Sequence, residues 1–361
     1  NYGTESSCCF TSGLMAWQVA TGMHVRADMG ASDLFLGWGM NGYYSRYRMP
    51  DGVEKRRKQG MKVIIVDPRI TPASRRLADL HLRPKQGTDG ALALSIAHEL
   101  IANDWVDHEF INKYVYGYEE YSNYVKEYTP EKGEELTGVS AEQIRQAAKM
   151  IHESSSMSIC ESSAPVGHHR NGLQSYRAIM ALLAITGNYD KKGGQLPAYH
   201  TYMELSCGFE TLEEAFMNGC FPENGKKAVG AERFPLWYEL RKEMQVNDLA
   251  CNILSDKEDR VRAVFALGMN MRMFAGDERT KKALEKLDFF VDVDLFMTDT
   301  AGYADIVLPA CTSMERGEFK CYPGGYAWYT KPVVEPLGEA KSDAEILTLL
   351  ARKMDLPDDL L

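Results

Sequence analysis

Cys9 stands just ahead of residues 12–23, whose apolar spacing predicts a short helix with Ser12 as a plausible cap. A thiol at a helix start is biased toward thiolate by the backbone dipoles. There it can serve as a nucleophile, a redox thiol or a ligand for a soft metal, or simply be a small buried hydrophobe. A second set of residues occurs twice. Gly39-Met40-Asn41 follows the run Asp33-Leu34-Phe35-Leu36, and Gly268-Met269-Asn270 follows Arg262-Ala263-Val264-Phe265. From Asn41 to Asp67, at the end of Val63-Ile64-Ile65-Val66, is 26 residues, and from Asn270 to Asp294, at the end of Phe289-Phe290-Val291-Asp292-Val293, is 24. Ala78-Asp79 and Ala304-Asp305 then follow at nearly the same interval.

The chemistry of that pattern is nucleotide binding. Glycine lets the backbone approach a ligand, and the helix start beyond it offers amide donors to phosphate. An Asn amide can bond the ligand, and an Asp at the next strand end accepts from ribose hydroxyls or a guanine edge. The bland alternative is a pair of strand–turn–helix joints capped by Asn and Asp. Two copies imply two nucleotide sites, and few cofactors carry two nucleotides. Neither copy reads Gly-x-Gly-x-x-Gly in the register of a dinucleotide turn, which disfavours an NAD- or flavin-dependent dehydrogenase. His168 and His169 are candidates for proton transfer, histidine being the side chain that changes charge near neutral pH, or are loop residues bonded to backbone carbonyls. Tyr199 and His200 are weaker candidates for the same role.

The elements that must position these groups alternate. Residues 34–36, 61–66 and 156–160 read as buried strands, and 91–102, 141–153 and 175–186 as helices. Strands alternating with helices predict a doubly wound α/β domain over residues 1–195. A second α/β domain over 196–361 contains the second copy and an amphipathic helix at 344–354. The fold class is α/β, two Rossmann-like domains related by an internal pseudo-repeat.

Composition sets limits. The 361 residues exceed one typical core, and the apolar and charged shares, 45% and 25%, exclude a disordered chain. A net charge of −10 and the lack of a basic run disfavour nucleic acid as a partner. No apolar stretch approaches the ~20 residues of a membrane span, so direct membrane insertion is not expected. The eight Cys form no Cys-x-x-Cys pair, which leaves no zinc ribbon or iron–sulfur motif in this segment, and most are expected to be buried. The start at Asn1, without Met, reads as a piece of a longer protein, so the compartment stays open.

Taken together, Asn1…Cys9, Trp38-Gly39-Met40-Asn41, Asp67-Pro68-Arg69-Ile70-Thr71, Arg83-Pro84-Lys85-Gln86-Gly87-Thr88-Asp89-Gly90, Thr186-Gly187-Asn188…Gly193-Gly194, Thr298-Asp299-Thr300-Ala301…Ala304-Asp305-Ile306-Val307-Leu308-Pro309 and Glu315-Arg316-Gly317 resemble the bis-molybdopterin-guanine-dinucleotide oxidoreductases of the dimethylsulfoxide-reductase superfamily. The likeness covers nearly the whole chain and corresponds to that family's two central domains, without its iron–sulfur region and its carboxy-terminal barrel. It implies molybdenum or tungsten on a bis-pterin cofactor, with Cys9 as the protein's metal ligand and Cys8 its less likely neighbour. It places Trp38, Gly39, Asn41, Asp67, Arg69, Gly87, Thr88 and Asp89 around one guanine dinucleotide. Gly268, Asn270, Asp294, Arg316 and Asp343 would serve the other; Asp89 and Asp343 are otherwise helix caps and Arg316 a surface charge. His168 would bond a pterin, and His168 with His169 would manage protons. The partners implied are a small-molecule substrate and an iron–sulfur electron-transfer region or subunit carrying a 4Fe-4S cluster outside this segment. Formate dehydrogenases of the family follow the metal ligand with His and carry an Arg past the Gly-Gly turn. Here Phe10 and Pro197-Ala198-Tyr199-His200 stand instead, which disfavours formate oxidation. The rival within the same fold is a molybdenum-free scaffold resembling the large iron–sulfur subunit of NADH dehydrogenase.

Overall fold

The computed structural model describes residues 1–9, 11–23, 25–46, 48–197, 226–322 and 326–356. The chain forms two compact units, Cys9–Tyr199 and Asn1–Cys8 together with His200–Leu361. The first eight residues, read in sequence with the first domain, thus belong to the unit of the second.

In the first unit the helix Thr11–Thr21 precedes β1 (Val25–Ala27), and the main sheet is built on β2 (Leu34–Trp38), β3 (Lys62–Val66), β4 (Leu80–Leu82) and β5 (Met157–Glu161), parallel and in the order β4-β3-β2-β5. The strands are short and mostly apolar, and β3 is a run of β-branched residues, as suits a sheet covered on both faces. Alternate residues serve opposite layers. Leu34, Leu36, Trp38, Ile64 and Val66 join a core made with the helices Thr11–Thr21, Asp89–Ala102, Ala141–Glu153 and Gly172–Ile185, whereas Phe35, Val63 and Ile65 pack with Val53 and Ala73 from the helices Met49–Arg57 and Pro72–Arg76. Each fully buried Leu or Ile contributes roughly 2–3 kcal/mol of transfer free energy.

The edge of β5 is closed by side chains. Asn188 Oδ1 accepts from the Met157 amide at 2.8 Å, and Gln195 accepts from the Ile159 amide at 3.2 Å while donating to the Ile159 carbonyl at 3.0 Å. The Thr186-Gly187-Asn188 signature therefore serves the sheet, supplying amides where another strand would otherwise sit. Gln195 opens β6 (Gln195–Pro197), which pairs antiparallel with β1.

The second unit contains β7 (Ala263–Leu267), β8 (Phe289–Asp294) and β9 (Ile306–Pro309), parallel in that order. The helices Val246–Leu254 and Asp277–Glu285 contribute Leu249, Ile253, Ala283 and Leu284 to its core, together with Ala266 and Phe290 of the sheet. A hairpin of β10 (Glu318–Tyr322) and β11 (Tyr326–Thr330) precedes the helix Asp343–Lys353. The amino-terminal segment is tied in by hydrogen bonds from the Val229 amide to Asn1 Oδ1 and from the Val246 amide to Ser7 Oγ.

The repeat read in the sequence holds at the level of atoms. The Gly39 amide donates to the Val66 carbonyl at 2.7 Å and the Gly268 amide to the Val293 carbonyl at 2.8 Å. Asp79 Oδ2 accepts from the Val63 amide and Asp305 Oδ2 from the Phe290 amide, each at 2.8 Å. The repeated Ala-Asp pair thus pins the third strand of each sheet to the start of the second.

Candidate functional site

In an open parallel sheet, ligands bind beyond the carboxyl ends of the strands, where the strand order reverses. In the first unit that point lies between β2 and β5, with Trp38 and Glu161 in register. The chain leaves β2 through Gly39, at φ +65°, a left-handed turn that favours glycine. A Cβ there would stand 2.8 Å from Pro165, so the turn also needs a residue without a side chain. Asn41 follows. It is buried, and neither its side-chain carbonyl nor its amide has a partner. A buried amide costs about 1–3 kcal/mol when left unbonded, so this group is set for a ligand.

Asp67, at the end of β3, is buried and accepts from the Arg69 amide at 2.8 Å; the exposed Arg69 guanidinium lies 3.6 Å away. Trp38 is wholly buried and its indole N–H donates to Asp89 Oδ1 at 2.7 Å. Trp38 therefore positions Asp89 and packs in the core. Thr88 is the residue before the helix Asp89–Ala102, makes no side-chain cap bond, and turns its hydroxyl to the Lys85 carbonyl at 2.6 Å. Asp89 is the helix's first residue, and its carboxyl is held above the usual carboxylate range by burial, opposed by the Trp38 bond and by His169.

The structure brings His169 to this group: a Cβ on Gly87 would lie 3.1 Å from its Nδ1. Both His168 and His169 are exposed, directly after Gly167. Gly167 is itself pressed against the helix that follows Cys9, since a Cβ there would meet Ser12 Oγ at 2.5 Å and Tyr176 at 3.5 Å. The loop of the two histidines and the segment of Cys9 are thus neighbours. Cys9 is an exposed thiol. Of the five free cysteines described, Cys160 and Cys311 are buried, and burial pushes the Cys160 thiol up to about 11. Phe10, Ala198, Tyr199 and His200 lie outside the described residues.

In the second unit Gly268 repeats the turn at φ +61°, but its surroundings are open, and a Cβ added there would meet nothing within 4 Å. Asn270 accepts from the Arg272 amide at 3.1 Å and Asp294 from the Phe296 amide at 3.1 Å, the counterpart of the Asp67 turn. Arg316 donates to Asp343 and to Glu318, each at 2.9 Å. The helix cap there is Ser342, so Asp343 is its first residue, as Asp89 is of its own helix.

Three groups escaped the sequence reading. Glu161 ends β5, accepts from the Trp17 indole at 2.8 Å, and is pushed above the usual range by burial. Tyr176 donates to the Ser162 carbonyl at 2.7 Å and is raised by burial and by Glu161, Asp89 and Cys9. Asp292, wholly buried in β8 with both oxygens unpartnered, is raised to about 6 by burial and by Asp294. An acidic residue inside an otherwise apolar strand was the available signal for the first and third. Among the described residues, no three His, Cys, Asp or Glu converge as a metal site.

Fold and site define a doubly wound α/β protein with two nucleotide-type turns and an accessible thiol. The chain belongs to the molybdopterin oxidoreductase family, whose model matches residues 2–353. It is 32% identical over 361 residues to "Probable oxidoreductase YoaE" of Bacillus subtilis (strain 168), covering 98% of this chain and 50% of that protein. It is 30% identical over 336 residues to formate dehydrogenase H of Escherichia coli (strain K12), covering 90% and 46%. Among solved structures, acetylene hydratase from Pelobacter acetylenicus matches with a TM-score of 0.85 and 27% identity over 99% of this chain and 52% of that one. The chain thus spans about half the length of these relatives. The family implies a molybdenum or tungsten pterin cofactor, and no helix among the described residues is long and apolar enough to cross a membrane.

Proposed function

We propose that this chain supplies the two dinucleotide-holding domains of a molybdenum or tungsten enzyme whose cofactor is bis-molybdopterin guanine dinucleotide. The observation that carries the reading is the recurrence of one backbone turn, with matching hydrogen bonds at Gly39 and Gly268 and at Asp67 and Asp294, at the ligand ends of two sheets. The first copy fits a nucleotide by its own chemistry: a buried amide without a partner, a close-packed glycine turn and a strand-end carboxylate. Asn41, Asp67 and Arg69 would hold one guanine nucleotide with Gly87, Thr88 and Asp89, and Trp38 would fix Asp89. Gly268, Asn270, Asp294, Arg316 and Asp343 would hold the other. Cys9 would give its thiolate to the metal, completing a sulfur-rich sphere.

When bound, the cofactor supplies a metal that exchanges two electrons, and an oxygen or hydroxyl group, with a small-molecule substrate. His168 and His169 would hold and move the accompanying protons at their ring nitrogens, beside the Gly87–Asp89 turn. Electrons would leave through a 4Fe-4S region outside this segment. Formate is the disfavoured substrate, on the identity of Phe10 and of residues 197–200. Non-redox hydration stays within the reading, since acetylene hydratase has this fold at 27% identity.

A molybdenum-free scaffold would have no use for an exposed Cys9 or an unbonded Asn41. An NAD or flavin enzyme would need the glycine pattern that both turns lack. Calorimetric titration with GDP tests the nucleotide reading. Binding that weakens about tenfold or more in Asn41→Ala supports it, and equal binding by both proteins contradicts it.

A further inference from the structure

Charge in the first unit is sorted by face. Residues 42–79 hold ten Lys and Arg, seven of them Arg, against four Asp and Glu, although the chain as a whole favours acid by 51 to 41. Residues 104–135 hold nine Asp and Glu against three Lys and no Arg, together with six of the chain's 19 tyrosines. The net charge conceals both concentrations. The parallel sheet stands between them. The basic stretch is carried by the helices Met49–Arg57 and Pro72–Arg76, whose Val53 and Ala73 pack on one side of the sheet. The acidic stretch is carried by His108–Tyr114, Tyr118–Val125 and Pro130–Thr137, and Ile111 and Val125 of the first two reach the core on the other side.

Arg57 ties the basic helices together, pairing with Asp79 at 3.0 Å and donating to the Arg76 carbonyl at 3.2 Å. Around that tie Arg46, Arg48, Lys55, Lys58 and Arg75 are exposed, and none has an ion-pair partner among the described residues. The same holds on the acidic face for Glu109, Glu119, Glu120 and Glu127. Glu120 and Tyr124 stand four apart on one helix and share its outer side, and Tyr114, Tyr116 and Tyr124 are more than half exposed. Solvated charge accounts for either face alone. Two features go beyond it: one face is mainly Arg and the other is rich in Tyr, residue types that stack guanidinium on ring and that anchor protein interfaces. Contacts of this kind already occur within the unit, Arg76 lying over the Tyr43 ring at 5.2 Å and Lys113 over the Tyr114 ring at 5.0 Å.

We propose that the two faces are partners, the first unit of one copy docking its basic helices on the acidic, tyrosine-bearing helices of another. Nucleic acid or an anionic lipid surface would answer the basic face alone, whereas a second copy answers both. Because the faces lie on opposite sides of one sheet, the contact is heterologous, and copies add in a row or close as a ring larger than a dimer. Exposed ion pairs are individually weak and screened by salt, so the association is reversible and strongest at low ionic strength. Nothing in it depends on the cofactor.

Sedimentation velocity of the full gene product tests this. At about 50 mM salt it should show concentration-dependent species larger than a dimer, and about 0.5 M salt should weaken the association about tenfold or more. Lys55→Glu with Arg75→Glu should give a monomer of unchanged circular dichroism, as should Glu120→Lys with Glu127→Lys. An equimolar mixture of the two variants should associate again, since each retains the face that the other has lost. A monomer at low salt overturns the proposal and leaves the basic face to a polyanion or a lipid surface. So does an association that stops at two copies, or one that neither pair of substitutions weakens, which places the contact elsewhere. A mixture that stays monomeric overturns it as well.

Discussion

Asn41 gives the sharpest test at the scale of single residues, because its two effects have opposite signs. Its amide is buried and unbonded, so Asn41→Leu should raise the stability of the cofactor-free protein, by about 1–3 kcal/mol in chemical denaturation, while weakening guanine nucleotide binding. A residue that merely capped a helix would lose stability instead. Cys9 carries the metal claim. In cofactor-loaded enzyme, Cys9→Ala should cost at least the roughly 10–100-fold in activity typical of residues one step further from a metal. Guanine nucleotide content should stay unchanged, since that thiol is not part of either nucleotide turn. Trp38 marks where residue-by-residue transfer of family roles needs the structure. Its indole N–H is taken by Asp89, so Trp38→Phe should act through that carboxyl and destabilise the fold by about 1–3 kcal/mol.

At the scale of elements, the same glycine turn sits in two environments. Gly39 and Gly268 share a left-handed φ, and Gly39 alone is pressed against Pro165. Gly268→Ala should therefore cost only the backbone penalty, on the order of 1 kcal/mol, and Gly39→Ala distinctly more, as read from thermal unfolding of each variant. Much of this level was legible in the sequence. The strands at 61–66 and 156–160 and the helix at 141–153 are seen at Lys62–Val66, Met157–Glu161 and Ala141–Glu153; the unbroken β-branched run of the first strand and the 3.6-residue spacing of the helix are strong local signals. The start of the helix Asp89–Ala102 came two residues earlier than apolar spacing showed, since its first turn is polar. What stayed hidden was pairing between distant residues: Trp17 with Glu161, Trp38 with Asp89, and the amides of Asn188 and Gln195 along the edge of β5. Tertiary folding alone makes these contacts, and no local period announces them.

For the molecule as a whole, Asp292 couples stability to pH. Its folded pKa, about 6, lies above its ordinary value of 3.8, so the folded state favours the protonated form. The contribution is fully present below about pH 4 and is lost as pH rises through about 6. Between pH 5 and 8 the protein should therefore lose stability, on the order of 1–1.5 kcal/mol from this group, and Asp292→Asn should flatten that slope in urea titrations across the range. The double turn, the thiol at Cys9 and the family match converge on one claim, that two guanine nucleotides and one metal belong to this chain's folded, full-length state. The direct measurement is metal and guanine nucleotide content of the full gene product, purified without oxygen from cells that make the cofactor. About one molybdenum or tungsten and two guanine nucleotides per chain is the expected result. Neither metal nor nucleotide, in protein that is folded and monodisperse, would contradict it and favour the molybdenum-free scaffold.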